Sequence, residues 1–257
     1  MSIEVSASVQ NNIGEIRFAK PPHNFACPEL LCRIADAVEA FDGDPQVRCT
    51  VLASSGKAFC AGADLAGDES IAGESGMTAI GGLYVQAERI FRRAKPMVVA
   101  VQGAAIGAGL GLALTADFRV AGPAARLSSN FVRLGFHPGF GLTYTLPRLL
   151  GQQRAAWMML SAERVKPREA LAWGLVDQVV DEGGEIEGAR EMARQIAANA
   201  PLALLAVRAT ATSGHADAVV AAMRHEHAAQ SALKPTRDYA EGVASVFERR
   251  EPQWVGA

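Results

Sequence analysis

The segment Ala100-Val101-Gln102-Gly103-Ala104-Ala105-Ile106-Gly107-Ala108-Gly109-Leu110-Gly111 decides how the chain is read. The run Met97–Val101 that leads into it is apolar and β-branched, which predicts a buried strand. Small residues then crowd the chain, and Leu110, Leu112 and Leu114 continue it as an apolar helix. A strand that turns through small residues into a helix brings bare backbone N–H groups to one point. Small side chains let a ligand approach that backbone. The first turn of a helix leaves its N–H groups unpaired and adds a partial positive charge. A second stretch, Lys57-Ala58-Phe59-Cys60-Ala61-Gly62-Ala63-Asp64-Leu65, repeats the design. Two such N–H groups aimed at one oxygen form an oxyanion hole. Tight packing of helix on sheet accounts for either stretch alone. A dinucleotide fingerprint, and with it an NAD-dependent enzyme, fails on spacing: after Gly107 and Gly109 the third glycine belongs at 112, which is Leu112.

Strand and helix signals alternate on both sides of this segment. Residues 3–9 and 13–18 predict a hairpin turning at Asn11-Asn12, and Pro28 opens an amphipathic helix that stops at Asp42-Gly43-Asp44-Pro45. Strands are predicted over 47–53, 118–121, 126–128 and 175–180, with helices over 79–93 and within 142–173. Residues 68–77 read as a surface loop. After Gly183-Gly184 the chain is helical, over about 185–199, 201–212, 215–231 and 236–250. The fold class is therefore α/β with an all-helical C-terminal region.

Composition bounds the function. The chain has 257 residues and a formal net charge of −2, which excludes a generally basic nucleic-acid or membrane-surface protein. Cys27, Cys32, Cys49 and Cys60 form no paired spacing, so neither a disulfide framework nor a zinc site is expected. His225-Glu226-His227 sets its histidines two apart, on different faces of a helix, and makes a poor metal site. The start, MSIEVSASVQNN, has no apolar signal core, and no stretch reaches the ~20 apolar residues of a membrane span. A cytoplasmic protein is the expectation.

The residues also resemble a family. Ala58–Leu65 as AFCAGADL, the 100–114 run with Ala116-Asp117 after it, and LGFHPGFGLTYTLPRLLG over 134–151 are similar to the enoyl-CoA hydratase/isomerase, or crotonase, family. So are Glu169-Ala170 with Trp173-Gly174-Leu175-Val176, and the tail from Asp238 to Arg250. The resemblance covers nearly the whole chain. It implies a spiral of ββα units over 1–184 and a helical region over 185–257 that closes the pocket and builds trimers or pairs of trimers. It implies an acyl-CoA ligand, with no cofactor beyond the coenzyme A of the substrate. The N–H groups of Ala63 and Ala108 match the oxyanion donors. Ala61, Gly62, Asp64 and Leu65 match the part that also cradles coenzyme A, and Gly107 precedes the second donor. Arg249 and Arg250 are candidates to reach its phosphates, or form a solvated helix end. The RNA-binding branch of the family has a lysine-rich first helix, and residues 28–42 contain no lysine.

Three positions depart from the pattern. Relatives that hydrate a double bond use two glutamates, and these fall here at Gly111 and Phe131. Other relatives place an acid where this chain has Gly139. No acid occurs between Asp117 and Glu163 in any register. Proton transfer by a placed side chain is worth roughly 10²–10⁴ in rate, so two-glutamate hydration is expected to be weak or absent. His137 is the titratable substitute in that segment, or a structural histidine beside Pro138. Tyr84, Glu88 and Asp68 fall in or near the loop and helix that cover the acyl pocket in relatives, as surface or lid residues, and Phe140 joins the expected apolar floor. Two readings follow: an enzyme working through a thioester enolate, and an acyl-CoA-binding homologue without catalysis.

Overall fold

The computed structural model describes residues 2–64 and 76–257. Strands β1 (Glu4–Gln10) and β2 (Ile13–Ala19) form the expected antiparallel hairpin. Asn11 and Asn12 have φ of 53° and 63°, the left-handed pair that a two-residue turn of this hand requires. Pro28 starts α1 (Pro28–Gly43), whose Leu30, Ile34 and Val38 face the core. Then follow β3 (Cys49–Ser54), α2 (Gly76–Phe91) and β4 (Met97–Val101). The loop expected over 68–77 lies outside the described residues up to 75, and residues 76 and 77 already belong to α2.

The deciding segment adds a strand the sequence pattern hid. Between β4 and α3 (Ala108–Leu114) lies β5 (Ala104–Ile106). It pairs in parallel with β7 (Arg126–Ser128), which follows β6 (Phe118–Ala121). A 3₁₀ turn over Asn130–Leu134 leads to α4 (Leu142–Leu150), α5 (Gln152–Ser161) and α6 (Pro167–Trp173). The strand expected over 175–180 shrinks to β8 (Gln178–Val179). Leu175 and Val176 instead donate their N–H groups back to the Ala170 carbonyl, closing α6, and have no free donor for a ladder.

One sheet runs β1-β2-β3-β4-β6-β8, parallel from β2 onward, and β5-β7 form a second, smaller layer. Single bridges between Ala26 and Ala63, Cys60 and Ala105, and Leu127 and Val165 extend that layer. The chain thus passes from one layer to the other within each β-β-helix unit, as a spiral.

Helices α7 (Glu185–Ala197), α8 (Pro201–Ala211), α9 (His215–Leu233) and α10 (Arg237–Glu248) complete the chain. Ala189, Ala193 and Ala197 of α7 lie at spacings of four and pack on Val51, Val98 and Val120. Their small side chains let the helix settle closely on one sheet face, while the larger core fills the other. Among the described residues no helix is long and apolar enough to cross a membrane.

Candidate active site

The two small-residue stretches meet. The Cys60 N–H donates to the Ala104 carbonyl at 2.9 Å, and the Ile106 N–H donates to the Cys60 carbonyl at 3.1 Å. The contact is close enough to forbid side chains: a Cβ on Gly103 would lie 1.9 Å from the Lys57 carbonyl oxygen, and one on Gly109 2.0 Å from that of Cys60. Two further glycines turn each stretch after its strand. Gly62 has φ of +114° and Gly107 +54°, conformations that side chains strongly disfavour.

The product of these turns is a cavity of about 170 Å³. Ala61, Gly62, Ala63 and Asp64 line one side, with Gly107 and Ala108 beside them. Neither Ala63 nor Ala108 donates its N–H to a backbone acceptor among the described residues. Ala108 is the first residue of α3, so its N–H has no intrahelical acceptor, and the helix end adds a partial positive charge. Phe131, Leu134 and Phe136 make the apolar wall, and Tyr239, Val246 and Phe247 of α10 close the rim. Leu65 lies outside the described residues, as does Asp68.

Four other sequence candidates in this region, Gly111, His137, Gly139 and Phe140, do not line the cavity. Phe140 is buried with φ of +62°, and its ring sits against Gly111: a Cβ there would lie 2.5 Å from it. At Gly139 a Cβ would lie 2.3 Å from the Tyr84 hydroxyl and 2.5 Å from Gln230 Nε2. Of the three positions expected to match acids of relatives, 111 and 139 are thus closed by neighbouring side chains, and Phe131 is cavity wall. His137 lies apart from the lining. Its Nδ1 is 2.7 Å from the Pro138 carbonyl oxygen, which makes Nδ1 the protonated nitrogen, and its ring meets that of His225 edge-on at 6.2 Å.

A polar network behind Phe140 was not visible in the sequence pattern. Tyr84 donates its hydroxyl to Gln230 Oε1 at 2.9 Å, and Gln230 Nε2 donates to the His137 carbonyl at 2.9 Å. Burial pushes the Tyr84 phenol well above its ordinary range, so it stays protonated and donates. Glu226, fully buried on α9, accepts from the Gly141 N–H at 2.7 Å, the Thr143 N–H at 2.8 Å and the Thr143 hydroxyl at 2.6 Å. It caps α4, whose own N-cap residue, Gly141, offers no side chain. Burial raises its carboxyl above the usual range against these hydrogen bonds. The one sequence signal was that missing local cap, which says that an acceptor comes from elsewhere but not from where.

At the tail, Arg250 pairs with Glu241 and Glu248, and Arg249 ends α10 with φ of 54°. Among the described residues no group of His, Cys, Asp and Glu is arranged to hold a metal.

The chain is similar to known proteins over nearly its whole length. A family model described as enoyl-CoA hydratase/isomerase matches residues 8–257. The 1,2-epoxyphenylacetyl-CoA isomerase of Escherichia coli (strain K12) is 30% identical over 233 residues, 89% of this chain and 88% of that protein. The mevalonyl-coenzyme A hydratase SIDH of Beauveria bassiana is 34% identical over 230 residues, 83% of this chain and 80% of that protein. The crystal structure of an enoyl-CoA hydratase/isomerase from Pseudoalteromonas atlantica superposes with a TM-score of 0.87 at 29% identity, covering 98% of this chain and 99% of that one.

Proposed function

The chain belongs to the enoyl-CoA hydratase/isomerase family, and from that premise we propose that it binds an acyl-CoA thioester in the cavity under α10, with the thioester oxygen held by the N–H groups of Ala63 and Ala108. The observation that carries this reading is the pair of unpaired N–H groups lining one cavity. As the thioester becomes an enolate, charge collects on its oxygen. Fixed donors in an apolar, water-poor site stabilise that charge more than water does, and one donor is worth ~2.7–4 kcal/mol of barrier. The aromatic wall suits an apolar acyl group.

The chemistry proposed runs through the enolate without a pair of placed carboxylates: isomerisation, decarboxylation or retro-aldol cleavage rather than hydration. Gly111 and Gly139, filled by Phe140 and by Tyr84 with Gln230, support it. Relatives include both an isomerase and a hydratase, so family membership does not choose between them. No cofactor beyond the coenzyme A of the substrate is proposed. The assembly proposed is a homotrimer or a pair of trimers. The apolar α8 supports it: the helix buries none of its residues, and Leu202 is 81% exposed. The compartment proposed is the cytoplasm, where four unpaired thiols persist.

A second reading, an acyl-CoA-binding protein without catalysis, is favoured by one observation: Asp64 is the only carboxylate in the cavity lining among the described residues. Titration with acetoacetyl-CoA, followed by calorimetry and near-ultraviolet absorbance, tests both. Saturable binding with an enolate band is the expected result. Binding without the band supports the second reading, and no binding removes both. Crotonyl-CoA hydration at a normal enzymatic rate overturns the claim about the missing acids.

A further inference from the structure

A second cavity, of about 220 Å³, opens where the end of α3 and the start of β6 face α4, α8 and α9; it shares no lining residue with the first. Four arginines line it (Arg93, Arg119, Arg148 and Arg208) against a single carboxylate, Asp117. One oxygen of that carboxylate, Oδ2, accepts from Arg93 Nη2 at 2.7 Å, from Arg208 Nε at 3.2 Å and from the Met97 N–H at 2.8 Å. Arg119 is satisfied by the carbonyls of Leu175 and Ala116 and by Asp177.

Three sets of donors remain without an acceptor among the described residues. Arg93 Nε has none, although its side chain is only 2% exposed. The guanidinium of Arg148 makes no ion pair, and the ring of His215 has aromatic neighbours, Phe91 and Tyr144, but no hydrogen-bond partner. A buried donor left unpaired, in a cleft with surplus positive charge, is costly until an anion answers it. The walls concentrate that field rather than dispersing it into solvent. Burial, then Arg148, Arg93 and Arg208, push the His215 imidazole below its ordinary range, the signature of a neighbourhood short of negative charge.

We propose that this cavity binds a small oxyanion of phosphate size, recognised by Arg148, His215 and Arg93 Nε. The planar guanidinium forks match two oxygens of such an ion at once. The site stands apart from the thioester cavity and does not depend on the reading of that cavity.

The test is titration of the full chain with inorganic phosphate at constant ionic strength, by calorimetry and ³¹P NMR, with chloride as the control ion. A phosphate monoester runs as a second arm; binding of phosphate assigns the site to the free anion, and binding of the monoester alone to an esterified ligand. Saturable binding at one site per chain is expected. Arg148→Gln should weaken it about tenfold, as the loss of one charge-assisted contact implies, with acyl-CoA binding unchanged. His215→Gln supplies an independent variant. Absence of saturable binding in either arm overturns the proposal, and so does equal affinity in both variants. An Arg148→Gln chain that instead changes oligomeric state, with no phosphate bound by the unaltered protein, also overturns it, because a carboxylate of a second copy then fills the cavity.

Discussion

Gly111 and Phe140 are complementary: the ring of Phe140 fills the space that any side chain at 111 would enter, 2.5 Å from its Cβ position. Substituting 111 alone therefore overpacks a closed core. Gly111→Ala should lower stability by about 1–3 kcal/mol. Phe140→Ala alone should cost about 3–5 kcal/mol, and the two together less than their sum, a favourable coupling in a double-mutant cycle measured by urea denaturation. Strict additivity of the two changes would show that the positions do not compete for the same space.

Ala108 offers a donor that can be removed with little cost to the fold, because proline is tolerated at the first position of a helix. Ala108→Pro deletes the N–H and leaves α3 its start. Turnover of an accepted acyl-CoA should fall about 10²–10³-fold, with circular dichroism and melting temperature near those of the unaltered chain. Unchanged turnover in a folded variant would remove Ala108 from the site.

The two stretches stay together only while their glycines lack side chains. In Gly103→Ala the new carbon would lie 1.9 Å from the Lys57 carbonyl oxygen, a backbone atom that cannot swing aside. A stability loss of more than about 3 kcal/mol is expected, together with lost acyl-CoA binding. Calorimetric scanning and ligand titration on one preparation read both.

Asp117 predicts an acid limb. Burial alone would raise its carboxyl, but Arg93 and Arg208 outweigh it and hold the group at about 2, against an ordinary 3.8. The folded form therefore binds the proton less tightly than the unfolded chain. The resulting stability, on the order of 2 kcal/mol, is present above pH 3.8 and is lost as pH falls through about 2. Asp117→Asn should flatten this limb in urea titrations and lower stability at neutral pH, where it leaves Arg93 buried without its partner. An unaltered slope between those pH values would contradict the assignment.

Much of this fold was legible because its signals are local. Asn11-Asn12 announced a hairpin, Pro28 a helix start, and the glycines at 62, 103, 107 and 109 two backbone turns of one design. Strand β5 was hidden because its three residues are small and sit among glycines, so that no periodicity marks them. The absence of acids at 111, 131 and 139 was readable from the chain alone. What stands in their place was not. Phe140 reaches Gly111 across a turn with positive φ, while Tyr84 and Gln230 reach Gly139 from helices 55 and 91 positions away in sequence. Such contacts arise from packing between distant elements, which no short window of sequence contains.

Glu226 adds a consequence for the order of events on the ribosome. The turn that holds Gly141 and Thr143 lacks its acceptor until a residue 85 positions later has been made. Until then α4 carries unpaired N–H groups, and the segment bearing Phe140 has no anchor on its far side. The nascent chain can assemble its hairpin and inner strands early, but the layer of Phe140 behind the first cavity can set only after α9 has emerged. Maturation of this part of the core is thereby tied to synthesis of α9.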